Sequence, residues 1–177
     1  MTLVSATAIE DALISWLGVV HPGVEAVLGW PNAPRPDLPY IAVRVEGLDP
    51  IGQDDRSEID DDGLQTIYGD RLVNVKIDAY GSGALDLVRA IANSIWRQSV
   101  SATLLAAGLC PRLPGPVTDL TGMLETSPED RAHVEMVFGI LDTYTDDVGI
   151  IDAVDGDGDV VKPDGTTLAV QVDGSLA

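Results

Sequence analysis

Asp37-Leu38-Pro39-Tyr40-Ile41-Ala42-Val43-Arg44-Val45 and, after an acidic loop, Arg71-Leu72-Val73-Asn74-Val75-Lys76-Ile77-Asp78-Ala79-Tyr80-Gly81-Ser82-Gly83 carry the pattern that decides the fold. Ile41, Val43 and Val45 alternate with Ala42, Arg44 and Glu46, the period of a strand with one buried face. Val73, Val75, Ile77 and Ala79 alternate in the same way with Asn74, Lys76, Asp78 and Tyr80. The second run ends at Tyr80-Gly81-Ser82-Gly83, where the chain turns into an amphipathic helix. Two strands, a long acidic loop between them and a covering helix make a scaffold. No catalytic arrangement is visible in this block.

Working outward, Thr7 and Glu10 have capping-box spacing and predict a first helix, with Ile9, Leu13, Trp16 and Leu17 on its apolar face and a stop at Gly18. Residues 19–39 form a proline-rich connector (Pro22, Pro31, Pro34, Pro36, Pro39) with room for a short strand at 24–28. A second helix is expected from Ser82 or Gly83 to about Ser99. Asp86, Arg89, Asn93 and Arg97 mark its wet stripe, and Leu85, Val88, Ala92, Ile95 and Trp96 its apolar one. Trp96 reads as a core anchor or an interface residue, core being the commoner outcome.

Leu104 to Leu109 suggests a short helical piece, and Pro111, Pro114 and Pro116 lead to a candidate strand at 117–124. Ser127-Pro128-Glu129 has the chemistry of a helix start. Ala132, Val134, Met136, Phe138 and Ile140 nevertheless alternate strictly, and the longer signal predicts a strand. From Gly149 to Val172 the pattern is a hairpin, with Asp-Gly pairs suited to tight turns and a Pro163-Asp164-Gly165 turn. The expected fold is therefore α+β: a mostly antiparallel sheet of about four strands, two helices on one face, and a C-terminal hairpin-like extension. The expected division is 1–148 for the α+β domain and 149–177 for the acidic extension.

Composition sets outer bounds. The 177 residues are 45% apolar, enough for one domain with a real core. No apolar run approaches the ~20 residues that span a bilayer. Residues 1–5 lack a basic region ahead of an apolar one, so no secretory signal is expected. The single cysteine, Cys110, fits a protein made in a reducing cytoplasm. The net charge of −19 repels phosphate backbones and argues against conventional or sequence-specific nucleic-acid binding. Acidity can serve solubility alone, or it can line a channel through which DNA slides without sticking.

Some residues invite chemistry. Asp155, Asp157 and Asp159 are spaced like the first ligands of a calcium loop, but Val160 and Thr166 stand where glycine and a bidentate acid belong. A solvated acidic turn is the better reading, and a calcium-stabilised binding module the alternative. Asp54, Asp55, Glu58, Asp60, Asp61 and Asp62 form a second acidic cluster, in a polar loop with only Ile59 to offer an apolar wall. Without a pocket to shift their pKa values, they do not read as a metal or acid–base site. His21 and His133 belong to no catalytic motif, Ser82 is better explained as a helix cap, and Cys110 as an inert thiol. A small hydrolase would need a pocket joining one histidine to an acid. No catalytic residue, cofactor site or metal site is assigned.

Several pieces, taken in order, resemble the bacteriophage tail (neck) terminator family. They are Asp37-Leu-Pro-Tyr-Ile, Leu48-Asp-Pro-Ile-Gly-Gln, Val75-Lys-Ile-Asp-Ala-Tyr-Gly with its helix, and Glu129-Asp-Arg-Ala-His-Val-Glu running on to Asp146-Asp-Val-Gly-Ile-Ile. Residues past Asp152 lie outside the resemblance. It implies a structural virion protein: a homo-oligomeric ring, usually hexameric, between the tail tube protein and the head-proximal connector, assembled in the host cytoplasm with DNA passing through. The acidic residues at 54–62 would face that channel or a neighbouring ring, and subunit contacts would fall on the exposed faces of the strand pair and on 146–154.

Overall fold

The computed structural model describes residues 4–29, 34–124, 127–149 and 153–175. In chain order the elements are α1 (Ala6–Val20), β1 (Glu25–Leu28), β2 (Tyr40–Pro50), β3 (Asp55–Ile59), β4 (Leu64–Tyr80), α2 (Ala84–Ser94) and α3 (Gln98–Ala106). They are followed by β5 (Cys110–Pro111), β6 (Thr118–Asp119), β7 (Gly122–Leu124), β8 (Ser127–Glu129), β9 (Arg131–Asp147), β10 (Ala153–Val161) and β11 (Thr167–Ser175).

The chain divides into two units, residues 1–55 with 67–144 and residues 56–66 with 145–177. In the first, the main sheet runs β1-β2-β4-β9-β5, with β6 also on β9. β1 lies parallel to β2, Glu25 opposite Tyr40 and Leu28 opposite Val43, while β2 and β4 are antiparallel. The alternation read in the sequence has its cause here. Ile41, Val43, Val73, Val75, Ile77, Ala132, Val134, Met136 and Phe138 are buried under the helices, and Arg44, Lys76, Asp78 and Arg131 occupy the opposite phase. A register shift between Val45 and Gly47 ends the clean alternation of β2.

The helices close the core with few polar groups. Ile9, Leu13, Trp16 and Leu17 of α1 are all buried, and Trp16 meets the Phe138 ring edge-on at 5.8 Å. The Trp16 indole donates to Ser94 Oγ at 3.0 Å, and that hydroxyl donates to Ile91 O at 2.7 Å. Ser94 thus satisfies the one polar atom of a buried tryptophan and marks the end of α2.

Gly81 closes the junction between β4 and α2. Its φ is +93°, and a Cβ there would lie 3.1 Å from both Leu38 Cβ and Pro39 Cα. Only glycine combines that conformation with that approach.

The structure corrects the expected fold. In place of a mostly antiparallel sheet of about four strands with two helices, the described residues hold a seven-stranded mixed sheet and three α-helices. The strands of that sheet with no counterpart in the expectation are β3 and β5, of five and two residues and too short to display a period, while β1 falls in the room left at 24–28 and β6 within the candidate strand at 117–124. The long second helix is two, because the chain turns at Ile95–Arg97. That turn buries Ile95 and leaves Trp96 66% exposed, against the core reading. Leu85 is likewise exposed.

Smaller corrections follow the same logic. The α1 cap is Ser5, whose hydroxyl accepts from Ala8 N at 3.1 Å, so Thr7 lies inside the helix. Gly18 does not stop α1, which continues to Val20. The candidate strand at 117–124 reduces to the short β6 and β7, while Ser127–Glu129 is strand, in line with the choice of strand over the helix-start chemistry there.

In the second unit, β3 folds back on the first residues of β4 through a turn at Asp60–Gly63, with Gly63 at φ +76°. β10 and β11 pair without a break from Ala153–Ser175 to Val161–Thr167. The Asp-Gly run is therefore strand, and the turn falls at Lys162–Thr166, where Gly165 has φ +82°. Ile150, Ile151 and Asp152 of the expected contact segment lie outside the described residues.

Candidate functional site

The six carboxylates of the acidic stretch do not form one cluster. The long loop expected between the strands is a β-hairpin, and it sets Asp54 and Asp60 apart from the other four acids. Asp54, just before β3, receives Arg71 Nη1 at 2.7 Å and Nη2 at 2.8 Å, a two-pronged pair that is about four-fifths buried on both sides. Tyr144 of β9 donates its hydroxyl to the same carboxylate at 3.1 Å, and Asp142 stands 3.8 Å from Arg71 Nε. The hydrogen bonds from Arg71 hold the Asp54 carboxyl below the ordinary carboxylate range, and Asp54 in turn holds the guanidinium's pKa up.

Gly69 makes this pairing possible. A Cβ there would overlap the Arg71 guanidinium, so the small residue leaves the arginine its berth.

Asp60 is the turn residue of the hairpin. Its Oδ1 accepts from Leu64 N at 2.8 Å and from Asp62 N at 3.1 Å. Asp55, Glu58, Asp61 and Asp62 are exposed and hold no ion pair among the described residues. Among the described residues, no three His, Cys, Asp or Glu side chains gather as a metal site. Asp159 is exposed, and the side chains of Asp155 and Asp157 lie outside the described residues.

The histidines are placed structurally. His21 Nε2 lies 3.1 Å from Leu87 O, a contact in which the ring must donate. His133, facing Thr118 across β6 and β9, has an enclosed Nδ1 with no hydrogen-bond partner. Neither is joined to a carboxylate among the described residues, so the geometry a hydrolase would need is not assembled by them.

Two surface features escaped the sequence reading. The first is an aromatic and cationic stack on the outer face of the sheet. Tyr40 and Tyr80 stack at 4.7 Å with 12° between their planes, Arg35 lies 5.7 and 5.5 Å from their centroids, and Arg131 lies 4.9 Å from Tyr80. Arg131 is anchored by Asp78 at 3.0 Å and Arg35 pairs with Glu129, so both cations are spoken for. Burial and the neighbouring Asp78 push the Tyr80 hydroxyl pKa up.

The second feature is an open apolar groove of about 1010 Å³ between the sheet and the α2–α3 turn. Ile51, Leu72, Trp96, Leu113 and Val137 line it, together with Arg112. A smaller hollow of about 290 Å³ shares Ile51 and Arg112 and reaches Cys110. The signal available in the sequence was Trp96 itself, at the margin of its helical stripe.

No described helix is long and apolar enough to cross a membrane. No match is found among curated proteins. A family model for phage neck terminator proteins matches residues 7–164, taking in the whole main sheet and reaching past Asp152, where the sequence resemblance ended, into the β10–β11 hairpin. With that span matched out of 177 residues, the chain belongs to the phage neck terminator protein family.

Proposed function

We propose that the protein forms a closed ring, of six copies, that caps the last ring of the tail tube and joins it to the connector under the head, with DNA passing through. Membership of the neck terminator family, which is structural rather than enzymatic, gives the protein a place in the virion neck among other tail and head proteins. That match is the observation carrying the reading. Ring closure, stoichiometry and the identity of the two flanking proteins are the proposal built on it.

Charge supports the passage of DNA. A chain at −19, repeated around an axis, presents no attractive lysine track to the phosphates. The exposed Asp55, Glu58, Asp61 and Asp62 at the β3–β4 hairpin are the residues assigned to the channel wall or to a neighbouring ring. Asp60 stands beside them as their turn residue. Asp54 drops from the wall, because its charge is matched by Arg71.

Subunit contacts are assigned to the outer face of β2 and β4 and to residues 146–154, the latter leading into the 149–177 extension. Electron cryomicroscopy of the ring tests the assignment. The β3–β4 hairpin should point into the channel, and a hairpin on the outer wall would remove these acids from any role in DNA passage.

A further inference from the structure

We propose that the groove beside Trp96 and Arg112 is the seat for the β10–β11 hairpin of a second copy of this chain. The groove walls are apolar and open: Leu113 is 74% and Trp96 66% exposed, and Ile51 and Leu141 stand out beside them. Arg112 lines the groove and is exposed, with no carboxylate at ion-pair distance among the described residues, although the chain carries 29 acids against 10 bases. The guanidinium rests over Gly139, where a Cβ would lie 3.3 Å from Nη2. The sheet has left a flat place for an arginine and supplied no anion to meet it.

The occupant is argued from the other end of the chain. Among the described residues β10 and β11 pair with no other strand, and a lone two-stranded ribbon is marginal in water without a surface to cover it. Its sequence joins Val154, Val160, Val161, Leu168, Val170 and Val172 with Asp155, Asp157, Asp159 and Asp173. Val161 and Leu168 are exposed. The register puts Leu168 on one face of the ribbon and Asp159 with Val161 on the other, so a ribbon entering the groove edge-on sets Leu168 against the apolar wall and turns Asp159 toward Arg112.

The symmetry also fits. A hairpin of one copy in the groove of the next is a head-to-tail contact, the kind that closes into rings rather than stopping at dimers. The inference rests on the ring reading above, and the test separates the two.

One copy keeps Cys110, which is exposed at the edge of the groove. A second, with a different tag, carries Cys110→Ser and Leu168→Cys. The two are mixed under conditions where native mass spectrometry reports oligomers and treated with a short bismaleimide. A covalent dimer bearing both tags is expected. Arg112→Glu in the first copy should reduce its yield by about tenfold or more, as like charges meet at the contact. Leu113→Asp, at an exposed position that leaves the core untouched, should do the same.

Rings that form without the cross-link, and survive Arg112→Glu, overturn the docking and leave the ring standing. Rings that survive while the tube protein or connector no longer binds assign the groove to that partner instead. A cross-link inside a single chain carrying Cys110 and Leu168→Cys means that the hairpin covers its own groove. Monomers at every concentration, with no cross-link, overturn the docking and count against self-assembled rings together.

Discussion

Arg71 grips Asp54 with both terminal nitrogens, at 2.7 and 2.8 Å, and in doing so fastens the entry of the acidic hairpin to the strand that leaves it. Tyr144 and Asp142 of β9 approach the same pair, so one contact joins three segments far apart in sequence.

The pH dependence of this pair has a definite sign. Asp54's carboxyl is lowered in the folded protein by its hydrogen bonds from Arg71, while the unfolded chain titrates near the ordinary value of about 3.9. Stability from the pair is therefore fully present above that unfolded value and is lost as pH falls through the lower folded one. Melting temperature measured from pH 7 down to pH 2 should show Asp54→Asn well below wild type at neutral pH, with the gap closing in acid. A gap that is constant with pH would contradict the assignment.

Gly69→Ala should act through the same arginine. The new methyl intrudes on the guanidinium, so the variant should lose stability and, combined with Asp54→Asn, lose less than the two single effects added. Urea unfolding of the four proteins in that cycle reads the coupling, and strict additivity would mean that Gly69 does not position Arg71.

Ser94→Ala leaves the buried Trp16 indole N–H without an acceptor. The expected loss is about 1–3 kcal/mol, the cost of an unsatisfied buried donor. Denaturant melts followed by tryptophan fluorescence measure it, and a loss below about 0.5 kcal/mol, the range of neutral surface changes, would show that the indole finds another partner.

The acids of the hairpin should separate by task. Asp60→Ala removes the acceptor for Leu64 N and Asp62 N and should destabilise the hairpin locally, visible as faster amide exchange at Leu64. Asp61→Asn with Asp62→Asn should leave the melting temperature unchanged, because both side chains are exposed and neither forms an ion pair among the described residues. If those two acids face the DNA, their loss should appear only in packaged or ejecting particles. Equal damage to folding from both variants would deny the division.

What the sequence disclosed, and what it withheld, follows from the range of each interaction. Strong alternation at 73–79 and 132–140 was legible because burial on one face of a strand imposes it locally. β3 and β5 were not foreseen because a strand of a few residues has no period, and the room for a strand at 24–28 gave no sign of its parallel partner β2. The break after Ser94 was hidden because Val88, Ala92, Ile95 and Trp96 keep a helical spacing through it, and Ser94's partner Trp16 lies in another helix. Asp54 looked like one acid among six until the strands brought Arg71 and Tyr144 beside it. The exposed face of Trp96 followed from that same break, so the groove was illegible for the same reason.

The central claim is a ring built by a neck terminator, and native mass spectrometry over a concentration series tests it most directly. The purified chain should be measured alone and mixed with the tail tube protein of its own phage. The account predicts a closed oligomer of six copies, formed either freely or only on the tube. A chain that stays monomeric in both mixtures would contradict it.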